Sequence, residues 1–358
     1  MFGLGAKKQV LVRQYWQDNL SEYVTAVAWS PAGILAASSA AGEVVVWQDG
    51  NLVSLLPAGL VSIDCLAFAA DGKFLAAGGQ DGKVRIWSIP PASGQKEVKL
   101  IATLDNKPSW IDKLAWNPTC NHLAFSLGRN VQIWDADTQA VITTLPYANS
   151  SVLALAWRPN GENIAIVGNG GIKVWSTKDW DRDPRLIDLS SASIVTVWSR
   201  DGKYIASGNL DNTIAIVEYA SSRSWVMQGF PGKVSQLSWS QPLSDNAPLL
   251  AVSSMGSIAV WHKEADEQDG WSADMLTLHE GKIEALEFHP QSLLLASAAA
   301  DGLLGLWTKA KQIRQTLKGV RDGFSCLAWS QDGQKLATGG QDGELIIWSE
   351  SGRGKDFG

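Results

Sequence analysis

Two aromatic positions recur along the chain at a near-constant interval, and this periodicity constrains the fold more than any other feature. The residue closing each short Val/Ile-rich run is Trp47, Trp87, Trp134, Trp175, Val217, Trp261, Trp307 or Trp348. Trp47 and Trp348 stand 301 residues apart, which makes seven intervals of 43 on average. A second series runs just ahead of the first: Trp29, Phe68, Trp116, Trp157, Trp198, Trp239, Phe288 and Trp329. Thirteen of the 18 tryptophans occupy these two positions. A repeat of this length overrides any domain count drawn from 358 residues alone.

Each period carries the same local pattern. Residues 322–348 read as three short apolar strands separated by Ser-Gln-Asp-Gly-Gln and Gln-Asp-Gly. Asp-Gly supplies the positive-φ geometry of a tight turn. A fourth apolar run follows in most periods, as at 52–56, 98–104 and 141–145. Four antiparallel strands in about 43 residues is the content of one propeller blade. A blade cannot cover both of its faces, so neighbours must stack to hide the large aromatics.

Eight such units begin near Val24, Ile63, Ile111, Val152, Ser193, Val234, Ile283 and Phe324. The fifth lacks its closing Trp and has irregular spacing over 193–198, which leaves seven blades as the alternative. After Trp348 no apolar run remains, whereas 9–16 reads as an unpaired strand. Pairing that N-terminal strand into the last blade would seal the ring and remove an open sheet edge. The expectation is one all-β domain over 1–349, an eight-bladed propeller of four-stranded antiparallel blades, followed by a flexible tail at 350–358.

The phrase Leu-Ala-Trp-Ser-x-Asp-Gly-x-x-Leu-Ala-x-Gly-Gly-x-Asp-Gly-x-x-x-Ile-Trp at 327–348 resembles a WD40 repeat, and 66–87 matches it almost position for position. The resemblance covers about residues 9–349. It implies a hydrogen-bonded network in each blade, running from a His through a Ser and a turn Asp to the closing Trp. His279, Ser297, Asp301 and Trp307 supply every member in one blade. Asp81, Asp211 and Asp342 keep only the turn aspartate, while Ala41, Arg129, Gly170 and Met255 stand near that place elsewhere. Apolar burial, roughly 1.5–3 kcal/mol for a large side chain, must hold most blades. The resemblance specifies the fold and says much less about function.

The residues offer no enzyme constellation. His122, His262, His279 and His289 are the only histidines, and none stands in a triad pattern. His262 and His289 fall in turns and are expected to be solvated. Cys120-Asn121-His122 could give two metal ligands but no third. Cys65 and Cys326 sit at equivalent innermost-strand positions and read as small buried hydrophobes. No phosphate-binding glycine loop precedes a helical pattern, so neither cofactor nor metal is expected. The net charge of −6 and the absence of a Lys/Arg cluster disfavour nucleic acid. The start lacks a secretory apolar segment, and no apolar run nears the ~20 residues of a membrane helix. Three scattered cysteines point to a reducing, cytoplasmic setting.

Binding residues are sought off the repeating positions. The loops leading into the innermost strands carry Tyr23, Leu60, Trp110, Tyr147, Phe230, Phe324 and Arg321, a set rich in aromatic and Arg residues of the kind that anchor interfaces. The opposite face has two acidic loops, each with one Trp: Trp180 within 176–184 and Trp271 within 262–272. The function expected is a non-enzymatic scaffold that presents a central aromatic face to a protein or peptide, as one ring within a larger complex. Two alternatives stand beside it. A channel lined by Asp64, Asp112, Lys113 and Glu284 could hold a small ligand, a metal or an enzyme site, and the acidic rim at Trp180 and Trp271 could dock a basic protein.

Overall fold

The computed structural model describes residues 10–90, 97–148, 150–244, 246–266 and 269–350. They form eight four-stranded antiparallel sheets. Blades 1 to 7 span 24–56, 63–105, 114–146, 154–187, 193–227, 234–276 and 283–318. In each, the strands lie side by side in sequence order, from the channel to the rim. Blade 8 takes three strands from 324–350, and its outer strand is Val12–Asn19. That strand pairs with Glu344–Glu350 from Val12↔Glu350 to Asn19↔Glu344. The closing strand thus runs a few residues later than 9–16, and Gln9 lies outside the described residues, as does 351–358 of the expected tail. Glu350 belongs to the last strand.

The ring is sealed twice. Val12 is buried beside Trp348 and Leu304, so the N-terminal strand contributes to the core between blades 7 and 8. The Gln315 side chain, on the outer strand of blade 7, extends a ladder to it. Its Oε1 accepts from the N–H of Leu11 and Val12 at 2.8 and 3.1 Å, and its Nε2 donates to Val12 O at 2.8 Å.

Each hydrophobic core is an interface between two blades. Val24, Leu35 and Trp47 of blade 1 meet Ala337, Leu345 and Ile347 of blade 8, and the pattern repeats around the ring. In five blades the Trp ending the first strand also reaches back to the preceding blade. The indole N–H groups of Trp29, Trp116, Trp157, Trp198 and Trp239 donate to Ala328, Ala67, Ala115, Ala156 and Val197 carbonyls at 2.9–3.4 Å. The recurring tryptophans therefore supply both buried area and a directional bond.

Blade 5 is a complete sheet. Its irregular spacing over 193–198 is a β-bulge between Ser193 and Val195. Equivalent bulges follow the first residue of the innermost strand in blades 1, 2, 6, 7 and 8. The missing Trp is replaced by buried Val217 and by a polar brace. Ser193 Oγ meets Asn209 Oδ1 at 2.8 Å, and Asn209 Nδ2 donates to Thr213 Oγ1 at 2.9 Å.

Candidate functional site

The loops leading into the innermost strands and the turns before the third strands share one face, around the channel mouth. Backbone hydrogen bonds tie each loop to a turn: Gly59 N to Ala41 O, Asn106 N to Gly82 O, Tyr147 N to Arg129 O, and Gln341 N to Gly323 O, all at 2.7–2.9 Å. Glycine is required where these segments touch. At Gly42, with φ of +85°, a Cβ would lie 2.3 Å from Val61 O, and at Gly82 it would lie 2.8 Å from Ser109 O.

Between these anchored points two large apolar side chains stand in the open. Leu60 is 101% exposed, although Gly59 is bonded on one side and Val61 lies against Gly42 on the other. Trp110 is 62% exposed, although Ser109 N donates to Asn106 O and Ile111 N to Gly79 O. Their exposure is built by ordered backbone. Tyr23 and Val61 add partly exposed surface on the same run of blades. The Tyr23 phenol is held above its usual range by burial and then by the charge of Glu284.

The bulges shape the mouth itself. A bulge re-aims the extra side chain, and here the extra residues are Thr25, Asp64, Ile194, Ser235, Glu284 and Ser325. Thr25 Oγ1 donates to Ile63 O and Ser325 Oγ to Val24 O, at 2.5 and 2.6 Å, each bridging to the next blade. Asp64 accepts from Ser62 Oγ at 2.5 Å. Asp112, exposed ahead of the short first strand of blade 3, accepts from Ser126 Oγ at 2.8 Å and lies 3.5 Å from Lys113 Nζ. Glu284 pairs with Lys282 at 2.6 Å.

The other residues expected at this face differ in exposure. Tyr147 is 1% exposed, and its hydroxyl donates to Gly171 O at 2.7 Å. Glycine at 168 leaves room for the ring; a Cβ there would lie 2.7 Å from Tyr147 Cε1. Phe324 is fully buried because it opens the innermost strand of blade 8, in the register of Val24 and Ile63. Phe230 is half-buried against Trp261, with ring centroids 6.2 Å apart. Arg321 is exposed, its backbone N–H bonded to Glu344 Oε1 at 3.1 Å. Leu210 and Met255, exposed on the turns before third strands rather than on the leading loops, also belong to this face.

The opposite face also departs from expectation. Trp271 is 8% exposed, enclosed by Tyr204, Trp225 and Trp239. Trp180 lies edge-on to Trp157 at 6.3 Å. Trp271 is thus not an exposed aromatic of its acidic loop, whereas Trp180 is half-buried. His289 is buried rather than solvated, accepted by Gly333 O at 3.1 Å and edge-on to Trp329 at 4.9 Å. His262 meets Glu264 at 3.3 Å. Among the described residues no three of His, Cys, Asp or Glu gather as metal ligands.

In blade 7 the His–Ser–Asp–Trp chain forms throughout. His279 Nε2 lies 2.7 Å from Ser297 Oγ, Trp307 Nε1 donates to that oxygen at 2.9 Å, and His279 Nδ1 faces Asp301 at 3.3 Å. Blade 8 keeps a fragment, Trp348 Nε1 to Thr338 Oγ1 at 2.9 Å.

Eight radial sheets around a channel, closed by an N-terminal strand, define a β-propeller of the repeat type. The model of the WD domain, G-beta repeat matches residues 51–88, 139–176, 188–217, 272–308 and 311–349, together just over half of the chain. The chain belongs to the WD40 repeat family. The WD repeat-containing protein AAC3 of Dictyostelium discoideum is 24% identical over 262 residues, covering 68% of this chain and 45% of its own length. The transcriptional corepressor LEUNIG_HOMOLOG of Arabidopsis thaliana is 23% identical over 83% of this chain and 36% of itself. The chain thus spans less than half the length of these two curated relatives. Among solved structures, Sqt1 of Chaetomium thermophilum bound to the N-terminus of ribosomal protein L10 aligns with a TM-score of 0.78 at 21% identity, over 92% of this chain and 97% of that one. That likeness is one of fold.

Proposed function

We propose that this ring is a non-enzymatic scaffold that captures a peptide segment of a protein partner at the channel mouth, on blades 1 to 3. One observation carries the reading: Leu60 and Trp110 are exposed on backbone that is hydrogen-bonded on both sides of them. A surface of this kind pays little ordering entropy when a partner covers it, and Trp is prominent among interface anchors. Tyr23 would extend the surface inward and Arg321 outward. The fold is shared with Sqt1, which holds a ribosomal protein's N-terminus. A cytoplasmic setting belongs to the same proposal and is supported by three free thiols at Cys65, Cys120 and Cys326.

The test is a Leu60→Ser/Trp110→Ala double variant. Both side chains are exposed, so stability should stay within about 1 kcal/mol of wild type. Crosslinking mass spectrometry of tagged wild type and variant should show the wild-type partners lost from the variant. A folded variant that retains all of them would refute the face.

A further inference from the structure

The apolar patch at the mouth is flanked by carboxylates. Asp64 and Asp112 occupy the channel edge of blades 2 and 3. Burial pushes the nearby Cys65 thiol up; Lys113 opposes the rise, and Asp112 and Asp64 both add to it. At the other end, on blade 8, the loop carrying Asp322 is tied to the turn carrying Asp342, where Gln341 N–H donates to Gly323 O at 2.9 Å. The Asp342 carboxyl is held above the usual carboxylate range by its hydrogen bond and charge repulsion with Asp322, then by desolvation and by Glu344, with Arg321 offsetting part of this. Like carboxylates in contact resist joint ionisation until a cation relieves them. Among the described residues Asp112 has Lys113 within ion-pair distance, and Arg321 is the basic group that acts on Asp342.

Blades 8, 1, 2 and 3 are neighbours in the ring, so this is one arc: carboxylates at blade 8, apolar side chains on the loops into blades 1 to 3, and carboxylates again on their channel side. Building on the peptide-capture reading, we infer that the occupant is a basic segment, with a bulky apolar side chain seated at Leu60 and Trp110 and Lys or Arg side chains reaching Asp64 on one flank and the Asp322–Asp342 pair on the other. Charge complementarity argues for this occupant over a neutral or acidic one, because it turns repulsion within the face into attraction across it and suppresses acidic competitors. The chain's net charge of −6 steers the same partners from a distance.

The experiment is selection from a random displayed-peptide library on the intact protein, with counter-selection on Trp110→Ala. Peptides that survive should be net basic with at least one large apolar residue. Their affinity, read by fluorescence polarisation, should fall about tenfold between roughly 50 and 500 mM NaCl. It should fall by a similar factor in Asp64→Asn/Asp322→Asn/Asp342→Asn, and part of that loss should appear in Asp322→Asn alone, an exposed change the fold tolerates. Surviving peptides that are neutral or acidic, or whose binding ignores salt, would overturn the inference and leave the capture face standing. A library yielding nothing that distinguishes wild type from Trp110→Ala would overturn both.

Discussion

Replacing Ser297 by Ala should unfold blade 7 more readily than any other single loss of one side-chain oxygen. Ser297 is fully buried in the second strand of that blade. Burial lowers the His279 pKa, with Asp301 opposing, so the imidazole is neutral near pH 7. Nδ1 faces the Asp301 carboxylate at 3.3 Å, and we assign the ring proton there. Nε2 is then an acceptor, filled by the Ser297 hydroxyl, whose oxygen accepts from Trp307 Nε1. Alanine strips both partners at once and leaves a space too small for a replacement water. Each of the two orphaned buried groups costs about 1–3 kcal/mol, so the loss is about 2–6 kcal/mol. Urea unfolding at pH 7.5 reads it as a shift in midpoint at constant slope. Trp307→Phe removes the donor itself, so the double variant should be less destabilised than the summed singles by about 1–2 kcal/mol. A Ser297→Ala midpoint equal to wild type would show that apolar packing alone holds the blade and that the network is idle.

Other perturbations probe separate links. Deleting residues 1–16 removes buried Val12, Trp16 and half of the closing ladder; the melt should fall by the equivalent of about 5 kcal/mol, and an unchanged melt would end the closure model. Gln315→Ala loses only the side-chain clasp and should cost about 1–2 kcal/mol by thermal melt. Tyr147→Phe removes one buried hydrogen bond and should cost about 1–2 kcal/mol while partner capture stays intact; lost capture would return Tyr147 to the binding face. Glu287 opens only partly to the channel, and burial lifts its carboxyl to about 7 while Trp329 N and Arg200 oppose the rise. A raised carboxyl contributes stability below its unfolded pKa and loses it as pH climbs through 7. Glu287→Gln should therefore gain about 1–2 kcal/mol over wild type at pH 8 and nothing at pH 4 in paired urea titrations, and equal differences at both would refute the assignment.

The architecture was legible because its signal repeats. The interval of 43 residues counts the blades, and the unmatched strands at the two ends imply their own pairing. The site was legible in part. Leu60 and Trp110 sit off every repeating position, and off-register apolar residues on anchored loops have nowhere to hide. Phe324 could have been placed correctly, since it aligns with Val24 and Ile63 at the buried start of the first strand. Tyr147 was harder: its burial depends on a glycine at 168 and on the Gly171 carbonyl in a neighbouring turn, a nonlocal pairing no single loop reveals. Trp271 misled because its loop is acidic, yet it begins an outer strand beside Trp225. The irregular spacing of blade 5 looked like a defect and is the bulge found in most blades, visible only once pairing is known.

The central claim is that a partner covers the Leu60–Trp110 surface. Site-specific photocrosslinking tests it most directly, with p-benzoylphenylalanine placed at Leu60 or, as a control, at Val226, exposed on the outer strand of blade 5. Irradiation should give a defined protein adduct from position 60 and none from position 226. Adducts from 226 alone, or equally from both, would contradict the account.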